Sequence, residues 1–178
     1  IDSFKKYASS AKALFIIPKM LKGGLVIGGS GGSGVLVSRD AASGVWSYPV
    51  FYTMGSVSFG LQAGAEASEM ILLVMTEKGM DSMLTSSFKL GADASIAAGP
   101  VGVGAKAATA DILAYSFSKG VYGGMSLEGA VIKTRDKWNS QYYGKEVSPA
   151  DIVIRKLAQN SNADNLRNEV AGKAGGSQ

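Results

Sequence analysis

The stretch Lys19-Met-Leu-Lys-Gly-Gly-Leu-Val-Ile-Gly-Gly-Ser-Gly-Gly-Ser-Gly-Val-Leu-Val-Ser-Arg39 decides how the rest of the chain is read. Glycines crowd between two short β-branched runs, with lysines on one flank and an arginine on the other. Such density marks backbone that adopts conformations, or tolerates approaches, that a Cβ forbids. A phosphate, a bulged strand or a neighbouring chain can each be the cause. Gly29 to Gly34 fit the spacing G-x-G-x-x-G of dinucleotide-binding turns, but the context does not. Such a turn opens a helix, and an acidic residue about 20 positions on holds the ribose. Here Val35-Leu36-Val37 follows, and Phe51-Tyr52-Thr53-Met54 occupies the later position. No glycine run leads into Lys-Ser or Lys-Thr, so a Walker A loop is excluded too. The stretch reads as a glycine-rich bend or bulge between two strands. If those strands pair, Lys19, Lys22 and Arg39 converge near the N-terminal segment.

Upstream, Phe4, Tyr7 or Ala8, Ala11 and Leu14 or Phe15 recur at three- and four-residue steps, which predicts a helix over 3–11. Lys5, Lys12 and Lys19 stack seven apart on another face. A basic amphipathic helix suits an anionic membrane interface, and equally suits docking on a sheet. Pro18 limits the helix, and Ala13 to Ile17 reads as a strand.

Downstream, Asp40-Ala-Ala-Ser-Gly44 reads as a turn joining two strands, and Val45 to Pro49 as an aromatic strand end stopped by proline. Alternation from Val57 to Gly64 predicts a half-buried strand, and Met70 to Met75 a central one. Thr76 caps a short helix ending near Leu84. From Leu113 a long alternating strand runs to Val131, bent at Gly120, Gly123 and Gly124. Thr134 to Tyr143 reads as a capped helix ended by Gly144. Ser148-Pro149 opens another helix, and 163–170 one more before a fraying tail. A similar order of elements around Thr76 and Thr134 hints at duplication, on thin identity.

A chain of 178 residues fits one domain that buries roughly two thirds of its surface. No apolar run approaches the roughly 20 residues of a membrane-spanning helix, and no signal peptide opens the sequence. Without cysteine there is no disulfide, thiol nucleophile or zinc-thiolate site. Without histidine the commonest general base and metal ligand is missing as well. The net charge of +4 is concentrated in residues 1–22, where Lys5, Lys6, Lys12, Lys19 and Lys22 face Asp2 alone. That asymmetry points to an anionic partner for the N-terminus, or to a solvated helix face with none.

Several separated stretches together resemble the SYLF domain family: Pro18 to Gly24, Gly28 to Leu36, Gly44-Val-Trp-Ser-Tyr-Pro49, Gly60 to Gly64, Ala98-Gly-Pro100, Tyr115 to Gly120, Gly124 to Gly129 and Tyr143-Gly-Lys145. They follow the family's order from about Ala11 to about Ile154. The resemblance implies a lipid-binding module. Eukaryotic members are similar domains that bind phosphoinositides, sometimes bind and bundle actin, and often accompany SH3 or FYVE modules. The Gly, Ala and Met content, with no SH3-like or FYVE-like addition, looks like the bacterial stand-alone type, commonly exported behind a signal or lipoprotein segment. That implies a cell-envelope location, periplasmic or outer-membrane-associated. Val103 stands where many eukaryotic members carry a basic residue.

The expected fold is a single α+β domain over 1–178, mainly antiparallel. Its glycine-rich sheet is curved, a sandwich or partly closed barrel with short peripheral helices. The core spans about 11–154 and a helical tail 155–178. The expected function is non-enzymatic attachment to anionic membrane lipid through Lys5, Lys6, Lys12, Lys19, Lys22 and Arg39, with apolar side chains of the first segment entering the interface. The alternative is a protein-interaction or envelope-structural domain that oligomerises or binds a partner, the edge of the long strand serving for pairing. No cofactor, metal or nucleic acid is expected. As an enzyme the chain would depend on Glu66, Glu69, Asp111, Lys119 and serines; Glu66 and Glu69 lie three apart, which on a strand points them oppositely.

Overall fold

The computed structural model describes residues 2–17, 30–56, 69–100, 109–118, 121–124 and 127–175. It is an α+β domain built on one mostly antiparallel sheet. The helices are α1 (Asp2–Ser10), α2 (Glu77–Met83), α3 (Asp136–Tyr143), α4 (Pro149–Val153) and α5 (Asp164–Ala174), with a 3₁₀ turn at Ser161–Ala163. The strands are β1 (Ala13–Ile17), β2 (Ser30–Ser38), β3 (Val50–Ser56), β4 (Glu69–Val74), β5 (Ser87–Lys89), β6 (Ile96–Ala98), β7 (Ile112–Ser118), β8 (Val121–Gly124) and β9 (Val131–Thr134). Their order is β5-β9-β3-β2-β1-β4-β7-β6, with β8 also on β7; β6 alone runs parallel to its neighbour.

Strand periodicity divides the interior in two. On β1, Phe15 and Ile17 point to one face and Leu14 to the other, and all three are buried. Cross-strand partners keep the phase, Phe15 lying opposite both Leu36 and Leu72. The first face continues through Tyr52, Leu72 and Ile112 and is covered by Met80 and Met83 of α2 and Ile152 of α4. The second carries Leu14, Val37, Leu73 and Tyr115 under Phe4 and Ala8 of α1 and Val170 and Ala174 of α5. Burial on both faces explains why β4 reads Glu-Met-Ile-Leu-Leu-Val with no polar alternation.

The glycine stretch resolves, from Ser30 on, into one continuous strand rather than a bend. At Gly34 an added Cβ would lie 2.7 Å from Phe15 Cζ and 3.0 Å from Ile16 O, so the neighbouring strand is the cause. Its earlier half, with Lys19 and Lys22, lies outside the described residues, as does the alternation expected over 57–64.

Three other expectations are corrected. The strand expected from Leu113 to Val131 is an antiparallel pair, β7 and β8, followed by a separate β9 five places away in the sheet. β7 is flanked by β4, β6 and β8, so it offers no long free edge. Val45 to Pro49 is no strand beyond the isolated Arg39–Trp46 bridge, and the strand begins after the proline at Val50. Thr134 ends β9 and gives its hydroxyl to Asp136, while α3 starts from Arg135 without a side-chain cap. The remaining helix signals hold. Thr76 Oγ1 accepts from Gly79 N, Ser148 forms a capping box with Asp151, and Gly144 closes α3 at φ 72°.

Candidate functional site

The basic segment divides once folded. α1 turns Phe4 and Ala8 inward, Phe4 meeting the Tyr115 ring edge-on at 5.0 Å. Lys5 and Lys6 are exposed on its outer side. The apolar face expected to enter a lipid interface is therefore occupied by the protein's own core. Lys12 pairs with Glu77 at 3.0 Å.

Arg39 lies against α1 but faces inward. Its guanidinium donates to Ser9 O at 2.6 Å, Ala8 O at 3.2 Å and Ala174 O at 2.7 Å, and stacks 4.6 Å from the Trp46 ring. The last carbonyls of α1 and α5, which have no partner within their own helices, both end on this one cation. It ties the two helices together, and burial lowers its pKa. Of the carboxylates considered for acid–base work, Asp111 has structural partners. Asp111 accepts from the Thr76 hydroxyl at 2.6 Å and from Ser95 N and Oγ at 2.9 and 3.0 Å, and these bonds, Thr76's first, hold its pKa low. Glu69 begins β4. Glu66 and Lys119 lie outside the described residues. Among the described residues no cluster of three or more acidic side chains could hold a metal ion.

The motifs behind the family resemblance interlock. An added Cβ at Gly99 would lie 2.2 Å from the Tyr115 ring, and the Tyr115 hydroxyl donates to Pro100 O at 2.8 Å. Ala98-Gly-Pro100 is thus the seat of the tyrosine that opens another motif. Tyr143 donates to Pro49 O at 2.5 Å, joining Tyr143-Gly-Lys145 to Gly44-Val-Trp-Ser-Tyr-Pro49. Trp46, fully buried, donates to Gly175 O at 2.7 Å, and Arg167 Nε donates to Trp46 O at 3.0 Å.

Sequence reasoning missed the exposed aromatic and apolar side chains of the C-terminal third. Phe51, at the start of β3, meets Trp138 and Tyr142 of α3 at 6.2 and 5.0 Å between ring centres, and Arg135 lies 3.5 Å over the Trp138 ring. Trp138, Ile154 and Leu157 are 41, 58 and 55% exposed, and they are the large apolar side chains that stand out in solvent among the described residues. The aromatic pair Trp138 and Tyr142, four apart in a helix, was the available signal.

The domain is thus an α+β fold whose two-faced sheet is closed by helices and whose marker motifs serve packing. The chain belongs to the Ysc84 family, the SYLF domain of the sequence resemblance. The family's description is "Las17-binding protein actin regulator", and its model matches residues 55–172. Fission yeast (Schizosaccharomyces pombe) SH3 domain-containing protein PJ696.02 is 32% identical over 89% of this chain and 38% of its own length. Protein YSC84 of Saccharomyces cerevisiae is 33% identical over 88% of this chain and 35% of its own. Human SH3 domain-containing YSC84-like protein 1 is 26% identical over 89% of this chain and 47% of its own. The chain thus spans less than half the length of these relatives.

Proposed function

We propose that this domain is a non-enzymatic protein-interaction module that binds an actin-regulatory partner of the Las17 type. The observation that carries it is the exposed apolar set Trp138, Ile154 and Leu157 within the family-matched region. Exposed aromatic and apolar groups beside arginine are the usual anatomy of a binding hot spot. The family's description supplies the kind of partner. Immobilised domain incubated with purified Las17, and separately co-sedimented with filamentous actin, tests it. Retention of either, weakened by Trp138→Ala with the fold intact, is expected; indifference to both would overturn the reading.

A second reading has its own observation, the exposure of Lys5 and Lys6 along the solvent side of α1. Here the chain attaches to an anionic membrane surface, as at a cell envelope, by charge alone and with α1 still docked. Each lysine contributes on the order of 1 kcal/mol near such a surface, and salt screens the attraction. Lys19 and Lys22 would add to it; Lys12 and Arg39 contribute less, having partners of their own. Flotation with phosphatidylserine vesicles is expected to recover the protein at low salt. Equal recovery with phosphatidylcholine vesicles, or after Lys5→Gln with Lys6→Gln, would sink this second reading.

A further inference from the structure

A cleft of about 230 Å³ lies between the turn after β2 and the segment leaving α4, with Trp46, Tyr48, Val153, Lys156 and Arg167 among its walls. Arg167 is 9% exposed, and its guanidinium lies 4.2 Å over the Tyr48 ring. An arginine side chain offers five N–H donors. One is used, Nε–H to Trp46 O at 3.0 Å; Nη1 stands 3.8 Å from the Asp164 carboxylate, beyond hydrogen-bond length. Among the described residues the buried side-chain atom without a partner is Arg39 Nε, so the Nη groups of Arg167 reach open space, and the cleft they line supplies it. A fork that faces solvent can exchange its water for a carboxylate, which matches it in shape and charge.

The carboxylate that lines the cleft, Asp40, is already taken. Asp40 Oδ1 accepts from Ala42 N and Ser43 N, each at 2.9 Å, and Oδ2 pairs with Lys156 at 2.8 Å. Lys156 sits at φ 56°, the described non-glycine residue in the left-handed region, in the loop that lines the cleft. Strain of this kind persists where surrounding contacts impose it and gathers at binding sites. Lys156 is thus engaged by Asp40, while Arg167 faces Asp164 only at 3.8 Å and, among the described residues, keeps its Nη donors free of a hydrogen bond. Ile154 and Leu157 flank Lys156 on the same loop, 58 and 55% exposed.

We propose that this cleft receives an aspartate or glutamate side chain from a segment of a partner protein, the carboxylate meeting the Nη edge of Arg167 while apolar neighbours seat on Ile154 and Leu157. The proposal rests on the protein-interaction reading and gives that partner an acidic, apolar-flanked motif. The test follows the Arg167 Nε–H and Trp46 indole N–H signals by NMR during titration with acetyl-Leu-Glu-Glu-Leu-amide. Saturable shifts at both are expected, with none from acetyl-Leu-Gln-Gln-Leu-amide or inorganic phosphate. Arg167→Lys keeps the charge without the fork and is expected to weaken binding on the order of tenfold. Because that change also removes the bond to Trp46 O, the exposed Leu157 is varied independently: Leu157→Asp, which loses the apolar seat and adds repulsion, should weaken the peptide severalfold and more than Leu157→Lys does. An equal response to the glutamine peptide, saturation by phosphate, no shift at all, or indifference to both Arg167→Lys and Leu157→Asp would overturn the proposal. Such a failure leaves retention of Las17 or actin unaffected, so it falls on the cleft alone.

Discussion

Gly99 has no room for a side chain. Its missing Cβ would stand 2.2 Å from two carbons of the Tyr115 ring, which is itself fully buried and tied to Pro100 O. Gly99→Ala therefore forces out a core aromatic, and we expect a loss of about 2–3 kcal/mol in urea unfolding, with the chain still folded. The sequence announced the glycine and the tyrosine as separate family motifs but not their contact, because 15 intervening residues hide the parallel pairing of β6 with β7. The same tyrosine sets a pH dependence. Burial raises Tyr115 to about 12, and it also raises Tyr52 and Tyr143. Unfolded tyrosines ionise near 10, so above that pH the unfolded chain has released protons the native chain still holds. Stability is accordingly full below about pH 10 and falls as pH rises toward 12. Urea midpoints between pH 8.5 and 11.5 check this, and Tyr115→Phe should make the decline shallower.

Among elements, local chemistry was the legible part. The caps at Thr76 and Ser148 and the stop at Gly144 are written in short patterns and form as read. Ser148→Ala removes one half of a reciprocal pair with Asp151 and is expected to cost about 1 kcal/mol, measured by thermal melting, with the amide of Asp151 losing protection from exchange. Breaks inside alternating runs were not legible. Residues 113–131 read as one phase along the sequence, but β8 pairs Phe117 with Tyr122 and Ser118 with Val121, so the phase changes face across the turn, which alternation alone does not reveal. β3 was missed for a related reason: Pro49 looks like a stop, yet proline is tolerated immediately before a strand, and its carbonyl accepts from Tyr143. The N-terminal amphipathic helix was legible as a helix. Which surface its apolar side meets was not, because docking on a sheet and docking on a membrane require the same periodicity.

For the molecule as a whole, the mainly antiparallel α+β class followed from glycine-rich alternating runs bounded by short capped helices. The candidate site did not follow, since exposure of Trp138, Ile154 and Leu157 depends on what packs elsewhere. The division of the interior between two faces gives the last helix more weight than its polar sequence suggests. α5 supplies Val170 and Ala174 to the second face, Arg167 to Trp46, and its terminal carbonyl to Arg39. Deleting residues 164–178 is expected to leave the first face's cluster assembled while the second is exposed. The measurable result is a hydrophobic-dye-binding protein with native-like far-UV dichroism and a broadened thermal transition.

The Arg39 guanidinium joins the carbonyls of Ser9 and Ala174, residues 165 positions apart, at one point. In polymer terms the segment from Ser9 to Ala174 is a nearly closed ring whose clasp is non-covalent. A segment that closes on itself at one point enters and leaves its own fold side by side, so what lies before and after it in a longer chain departs from a single place on its surface. It can also be reopened elsewhere once its ends are joined, so the order of its segments along the gene is less constrained than their order in the sheet.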